Sequence, residues 1–214
     1  MVTSYLTLAR DGDAEIEVKR SRFRCTLARV EVEADARAVV ERLRREHWDA
    51  RHHCSAFVLG PDAAVQRSSD DGEPAGTAGA PMLEVLRGRE VSDVVAVVTR
   101  WFGGVLLGAG GLVRAYGDAV RAALDEVGVQ HRRLLAEWAI DLGHAEAGRV
   151  ESDLRSRGIT VVDAAYADRV TLRLAAPPEE ETRLHAVLAE LTGGGAVPRP
   201  VGERWVDEGR SLPA

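Results

Sequence analysis

The run DVVAVVT at residues 93–99 constrains this chain more than any other segment. It is almost continuously β-branched or apolar, with none of the alternation that marks a strand with one face in water. Such a run is read as a central strand buried on both faces, so both sides of its sheet must be covered. Helical patterns lie on either side of it. Residues 35–47 (DARAVVERLRREH) place Ala36, Val39, Val40, Leu43 and His47 on one stripe. Residues 112–127 (LVRAYGDAVRAALDEV) place Leu112, Ala115, Ala119, Ala122 and Ala123 on another, with Gly128 as the stop. Residues 15–18 and 23–30 alternate around KRSR as a β-hairpin, and CSAFVLG (54–60) reads as a further strand.

After about residue 130 the organisation restarts. LLAEWAIDL is a strand, HAEAGRVESDLRSRG a helix, ITVVDAAY and RVTLRLA two strands, PPEEETRLHAVLAELTGG a helix, and VGERWVDE a closing strand. That β-α-β-β-α-β order predicts a ferredoxin-like unit. The expectation is an α+β protein of two domains, residues 1–130 and 131–214. A length of 214 residues with 45% apolar and 29% charged side chains is ordinary for a globular chain.

Composition removes several function classes. No apolar run reaches the roughly 18–20 residues of a membrane span. The opening MVTSYLTLARDGD lacks a basic start followed by a long apolar stretch, so the expected location is the cytoplasm. Two cysteines, Cys25 and Cys54, make no disulfide framework and read as small buried hydrophobes. A formal net charge of −6 argues against nucleic-acid binding driven by global charge. Lys19 is the sole lysine, and an almost all-arginine set of cations suits forked contacts to phosphate at a local site.

Two glycine-rich loops flank the buried strand. In SSDDGEPAGTAGAP (68–81), Asp70, Asp71 and Glu73 lie within four positions and repel one another unless a cation, arginines or N–H groups compensate. A short helix, MLEVLRG, is expected to open at Pro81. In WFGGVLLGAGG, Gly103, Gly104, Gly108, Gly110 and Gly111 precede a helix N-terminus, where bare N–H groups and the helix dipole favour an anion. Arg100 and Arg114 bracket that loop as forked donors, either to a phosphate or to the acidic loop. If they meet a phosphate, both are expected to be partly exposed, and truncating either leaves the fold intact. Phe102 and Tyr116 are candidates for stacking on a base. The competing reading is structural, with Asp and Gly serving tight turns and the arginines pairing with the carboxylates. A metal at the three carboxylates or at His52-His53-Cys54, and a Cys54–His52 nucleophilic pair, are further readings of the same residues. Trp48, Trp138 and Trp205 read as half-buried packing residues.

The segments SSDDGEPAGTAGAPMLEVL and VVAVVTRWFGGVLLGAGGLVRAYGDAV resemble the defining block of the IMPACT family. Its members read D-D-G-E-P-x-G-T-A-G-x-P, then V-V-T-R-Y-F-G-G, then L-G-x-G-G-L-x-R-A-Y. Trp101 stands where the family has tyrosine, keeping an aromatic face and losing a hydroxyl. His52 falls where a histidine is common, and His53 replaces the usual asparagine. The resemblance implies an N-terminal fold similar to the second domain of the small-subunit ribosomal protein five and to a domain of elongation factor G. The C-terminal half resembles ferredoxin-like domains of that factor. With the loop chemistry, the first expectation is a non-enzymatic, translation-associated protein that binds RNA or the ribosome, with translation factors as further partners and no cofactor. The contact residues would be His52, Arg100, Phe102, Gly103, Gly104, Gly108, Gly110, Gly111, Arg114 and Tyr116, beside an acidic loop of Asp70, Asp71, Glu73 and Thr77. The alternative is a nucleotide- or metal-dependent enzyme, a small-molecule kinase or a hydrolase using the Gly-rich loop and the carboxylates. GVLLGAGGL resembles a kinase phosphate loop but lacks the serines found there, and no nucleophile-base-stabiliser set is visible.

Overall fold

The valine run is the middle strand of a five-stranded antiparallel sheet in a computed structural model that describes residues 2–208. In chain order the first part contains β1 (Ser4–Leu8), β2 (Gly12–Val18), β3 (Ser21–Arg29), α1 (Glu33–Glu46), β4 (His52–Leu59), β5 (Val65–Ser69), α2 (Gly79–Gly88), β6 (Val94–Trp101) and α3 (Ala109–Val127). The sheet order is β2-β3-β6-β4-β5. Along β6, Val94, Ala96 and Val98 enter the main core under α2 and α3, while Val95 and Val97 enter a smaller core under α1. Each fully buried valine contributes about 1.5–3 kcal/mol of transfer free energy, and strand pleating divides that gain between the two faces.

Two helices begin earlier than their periodicity indicates. α3 starts at Ala109 instead of residue 112, because Gly108 at φ 73° turns the chain and its carbonyl accepts from the N–H groups of Gly111 and Leu112. Gly110 and Gly111 therefore belong to the helix's first turn. α2 starts at Gly79 and carries Pro81 inside its first turn. β1 is a strand that the sequence pattern does not reveal. Leu6 bridges to Val91, and the backbone N–H of Ser92 donates to the Leu6 carbonyl at 2.9 Å.

The β2–β3 hairpin closes over two residues, since Val18 pairs with Ser21. Both central residues, Lys19 at φ 47° and Arg20 at φ 67°, occupy the left-handed region. Positive φ at both positions marks a type I′ turn, which normally takes Asn-Gly. Left-handed backbone costs a residue with a Cβ about 1–2 kcal/mol.

The chain divides into two compact units, Ser4–His131 and a second that begins at Arg132, so the boundary falls inside β7 (Val129–Leu142). Beyond β7 come α4 (His144–Ser156), β8 (Thr160–Tyr166), β9 (Val170–Ala176), a 3-10 turn at Pro178–Glu180, α5 (Glu181–Thr192) and β10 (Arg199–Asp207). This is the expected β-α-β-β-α-β order, with strands arranged β10-β7-β9-β8. Ile140, Leu142, Leu172 and Leu174 from the strands meet Val150, Leu154, Leu184 and Leu188 from the helices in a separate core. Among the described residues no helix is long and apolar enough to cross a membrane.

Candidate functional site

The loop between β5 and α2 is organised by one carboxylate. Asp70 Oδ1 accepts from the N–H groups of Ala78 at 3.0 Å and Gly79 at 2.8 Å, and Oδ2 accepts from Gly76 N–H at 2.8 Å. Ala78, the N-cap residue of α2, has no side-chain oxygen, so Asp70 caps that helix from eight residues upstream. Burial works against its charge, yet the bonds from Gly76, Gly79 and Ala78 hold the carboxyl below its ordinary pKa. Thr77, buried, donates its hydroxyl to the Pro74 carbonyl at 2.7 Å.

Asp70→Ala should therefore lose about 1–2 kcal/mol of stability. A carboxyl with a depressed folded pKa contributes stability that is present above its unfolded value of about 4 and lost as pH falls through the folded value. Urea denaturation across a pH series should show the gap between wild type and Asp70→Asn closing in acid. A gap that stays constant from neutral pH downward would contradict this role.

The folded loop directs Glu73 inward. Arg100 Nη1 donates to Glu73 Oε1 at 2.5 Å, and Tyr116 Oη donates to the same oxygen at 2.7 Å. Arg100 and Glu73 are both buried. The guanidinium also lies 5.2 Å from the Phe23 ring centroid and 5.8 Å from that of Phe102. Its Nε is buried without a hydrogen-bond partner, and Nη2 reaches Ser21 Oγ only at 3.5 Å. Arg100 is thus the inward member of a buried ion pair and not the partly exposed residue expected. The reason is register: Arg100 pairs with both Phe23 and His52, between β3 and β4 in the middle of the sheet.

Tyr116 is also corrected. It is fully buried, edge-on to Phe23 at 5.2 Å, and burial together with Cys54 and Glu73 raises its hydroxyl pKa far above the ordinary value. It stacks on no external base. Arg114, fourteen positions along from Arg100, is exposed on the outer side of α3. It lines a shallow depression with Pro81, Glu84 and Arg89 of the α2 segment and does not join Arg100. A position at i+2 from Leu112 and i−2 from Tyr116 lies off the helix's buried stripe.

Asp71 is engaged by Arg44 at 2.5 Å and by the N–H of His53 at 2.6 Å. The three carboxylates thus point at three different sets of partners. Among the described residues no group of three or more His, Cys, Asp and Glu side chains is arranged to hold a metal. Cys54 Sγ lies 3.0 Å from the Asp70 carbonyl and 3.3 Å from Tyr116 Oη, and burial pushes the thiol up to about 12. His52 Nδ1 is 2.8 Å from the Asp71 carbonyl, which can only accept, so that nitrogen carries the proton. Cys54 and His52 therefore have separate partners and form no nucleophilic pair.

What the fold does bring together is a cleft of about 380 Å³ at the end of β6. Arg100 and Glu73 lie at its base. Arg51, His52, Pro74, Phe102, Leu106, Leu107 and the start of α3 at Gly108, Ala109 and Leu112 form its walls. Phe102 and Leu106 are exposed at 44% and 82%, an apolar rim in open solvent. Gly104 at φ 83° and Gly108 at φ 73° shape the connecting loop, and Gly110 has open space where a Cβ would stand. Gly103 presses against the backbone of Arg20 and Ser21. Sequence reasoning missed Arg51, Leu106 and the exposure of Trp48. The signal available was slight: Trp48 falls just past the α1 stripe, where no apolar partner is prescribed.

This cleft, walled by one helix N-terminus and floored by a buried arginine, belongs to a fold with known relatives. The Impact N-terminal domain family matches residues 19–124, and a domain of unknown function, DUF1949, matches residues 140–194. The IMPACT family member YvyE of Bacillus subtilis (strain 168) is 40% identical over 194 residues, which is 91% of this chain and 89% of the relative. The IMPACT family member YigZ of Escherichia coli (strain K12) is 43% identical over 180 residues, 83% of this chain and 88% of the relative. A crystal structure described as that of a hypothetical protein is similar at a TM-score of 0.65, with 38% identity over 94% of this chain and 98% of its own. The chain therefore belongs to the IMPACT family, as a bacterial member of the YigZ type.

Proposed function

We propose that the chain is a non-enzymatic, translation-associated RNA-binding protein whose cleft holds a backbone phosphate, with the ribosome and translation factors as its setting in the cytoplasm. In this reading the first unit has the fold of the second domain of ribosomal protein five and the second unit is ferredoxin-like. The observation that carries it is the convergence at one cleft of the exposed α3 N-terminus and exposed Phe102, above a base where Arg100 is already paired with Glu73. The first N–H groups of a helix have no intrahelical acceptor, and the dipole there favours an anion. Ala109 and Gly110 supply those groups at an exposed position. Arg51 adds an exposed cation at the rim, and Phe102 offers a ring to an unstacked base.

Gly110→Asp tests the anion site. A carboxylate in the first turn stabilises a helix but repels a phosphate, so Tm should hold or rise while RNA affinity falls. Phe102→Ala should weaken binding about tenfold, the equivalent of one stacked base. Fluorescence anisotropy with RNA and co-sedimentation with ribosomes, each repeated at rising salt, measure both. Unchanged RNA affinity in the two variants would reject the cleft. A thermal shift with ATP and magnesium would instead favour the enzyme reading.

A further inference from the structure

Beside the cleft, the same end of the sheet carries aromatic and cationic groups of which the phosphate reading uses only Arg51. Trp48, just beyond α1, is 82% exposed. Trp101 is fixed against the residues on either side of Trp48: His47 meets its ring edge-on at 5.4 Å and its Nε1 donates to Asp49 Oδ2 at 2.9 Å, while Arg22 lies 4.4 Å over the ring. Arg22 pairs with Trp101 across β3 and β6. The Lys19–Arg20 turn sits against Gly103, whose N–H donates to Ser21 Oγ at 3.1 Å. Arg51 donates its backbone N–H to the Arg100 carbonyl at 3.2 Å and so occupies the same sheet end. Lys19, Arg20 and Arg51 are exposed, and among the described residues none makes an ion pair. These cations gather in a chain whose net charge is −6.

We infer that this sheet end, from the Lys19–Arg20 turn past Trp101 to Trp48, is a platform for an unpaired RNA strand that continues out of the cleft. The inference rests on the RNA reading above and adds the kind of RNA. A projecting indole can stack only on a base that is already unpaired, because in a duplex the base faces are covered by their neighbours. Exposed lysine and arginine at the turn follow the phosphates without reading sequence. The turn itself points the same way. Two cations hold left-handed backbone where Asn-Gly would sit without strain, as happens where a side chain is retained for contact.

The test is fluorescence anisotropy of labelled oligouridylate and of a short RNA duplex across a salt series. Wild type should bind the oligouridylate more tightly than the duplex. Trp48→Ala should lower oligouridylate affinity about tenfold with Tm unchanged, as expected for an exposed ring. The double variant Lys19→Asn with Arg20→Gly should raise Tm by relieving the turn, and should flatten the dependence of log affinity on log salt by about 1.4. Wild-type oligouridylate binding in both variants, with Phe102→Ala still impaired, would overturn the platform and leave the cleft standing. Equal affinity for duplex and single strand would overturn it too. An absence of RNA binding by the wild-type chain would overturn both proposals.

Discussion

Glu73→Ala should destabilise the first unit by about 3–5 kcal/mol, the range for removing one partner of a buried ion pair. The variant leaves the Arg100 guanidinium buried without a counter-charge and removes the acceptor of the Tyr116 hydroxyl. Arg100→Ala should cost a similar amount, because Glu73 would then be left buried with only the tyrosine as a donor. The desolvation penalty of the remaining charge, more than the lost attraction, sets the size of the effect. Replacing both residues together, as Glu73→Leu with Arg100→Met, should therefore recover much of the loss. Arg114→Ala is the control: exposed on the outer side of α3, it should change stability by no more than about 0.5 kcal/mol. Urea denaturation of the four variants checks the set, and an Arg100→Ala variant as stable as Arg114→Ala would refute it.

Gly103→Ala should be similarly severe. A Cβ at this position would stand 2.0 Å from the Arg20 carbonyl carbon and 2.4 Å from the Ser21 nitrogen. Both obstacles are backbone in a two-residue hairpin turn, so they cannot swing aside as a flexible side chain does. The turn would have to move off the loop, at about 3 kcal/mol or more. The neighbouring glycines behave differently, although the sequence presents them as one set. Gly104→Ala forces a Cβ into backbone at φ 83° and should cost about 1–2 kcal/mol. Gly110→Ala meets nothing within 4 Å inside a helix and should be neutral or stabilising by up to about 1 kcal/mol. Thermal unfolding should rank the three as Gly103, Gly104, Gly110 in decreasing damage, and any other order would count against these assignments.

Local periodicity determined much of this protein. The unbroken valine run marked β6 as central, because neither of its faces can be left to water. The stripe from Leu112 to Ala123 marked the buried side of α3, with Ala122 alone of its members only half-buried. The alternation of strand and helix after residue 130 prescribed the β-α-β-β-α-β unit. Each of these follows from which side of a single element is apolar, which neighbouring residues alone decide. The same information placed Gly104 and Gly108 in the turn before α3, since the need for a sharp turn is also local, but it put Gly110 and Gly111 in that loop when they form the helix's first turn.

The partners of the charged side chains were decided elsewhere. Asp70 caps a helix across an intervening loop; Glu73 meets Arg100 and Tyr116 from two other elements; Arg114 turns away from the cleft its neighbours line. Trp48 stays in solvent although the helix before it is packed. Periodicity gives a charge or an indole a side of its own element but not a partner. Its environment is set by strand register, by where a helix ends, and by which backbone the next loop presses against. Those quantities exist only after the elements have packed, and so the elements could be read along the chain while the site could be read only from the folded molecule.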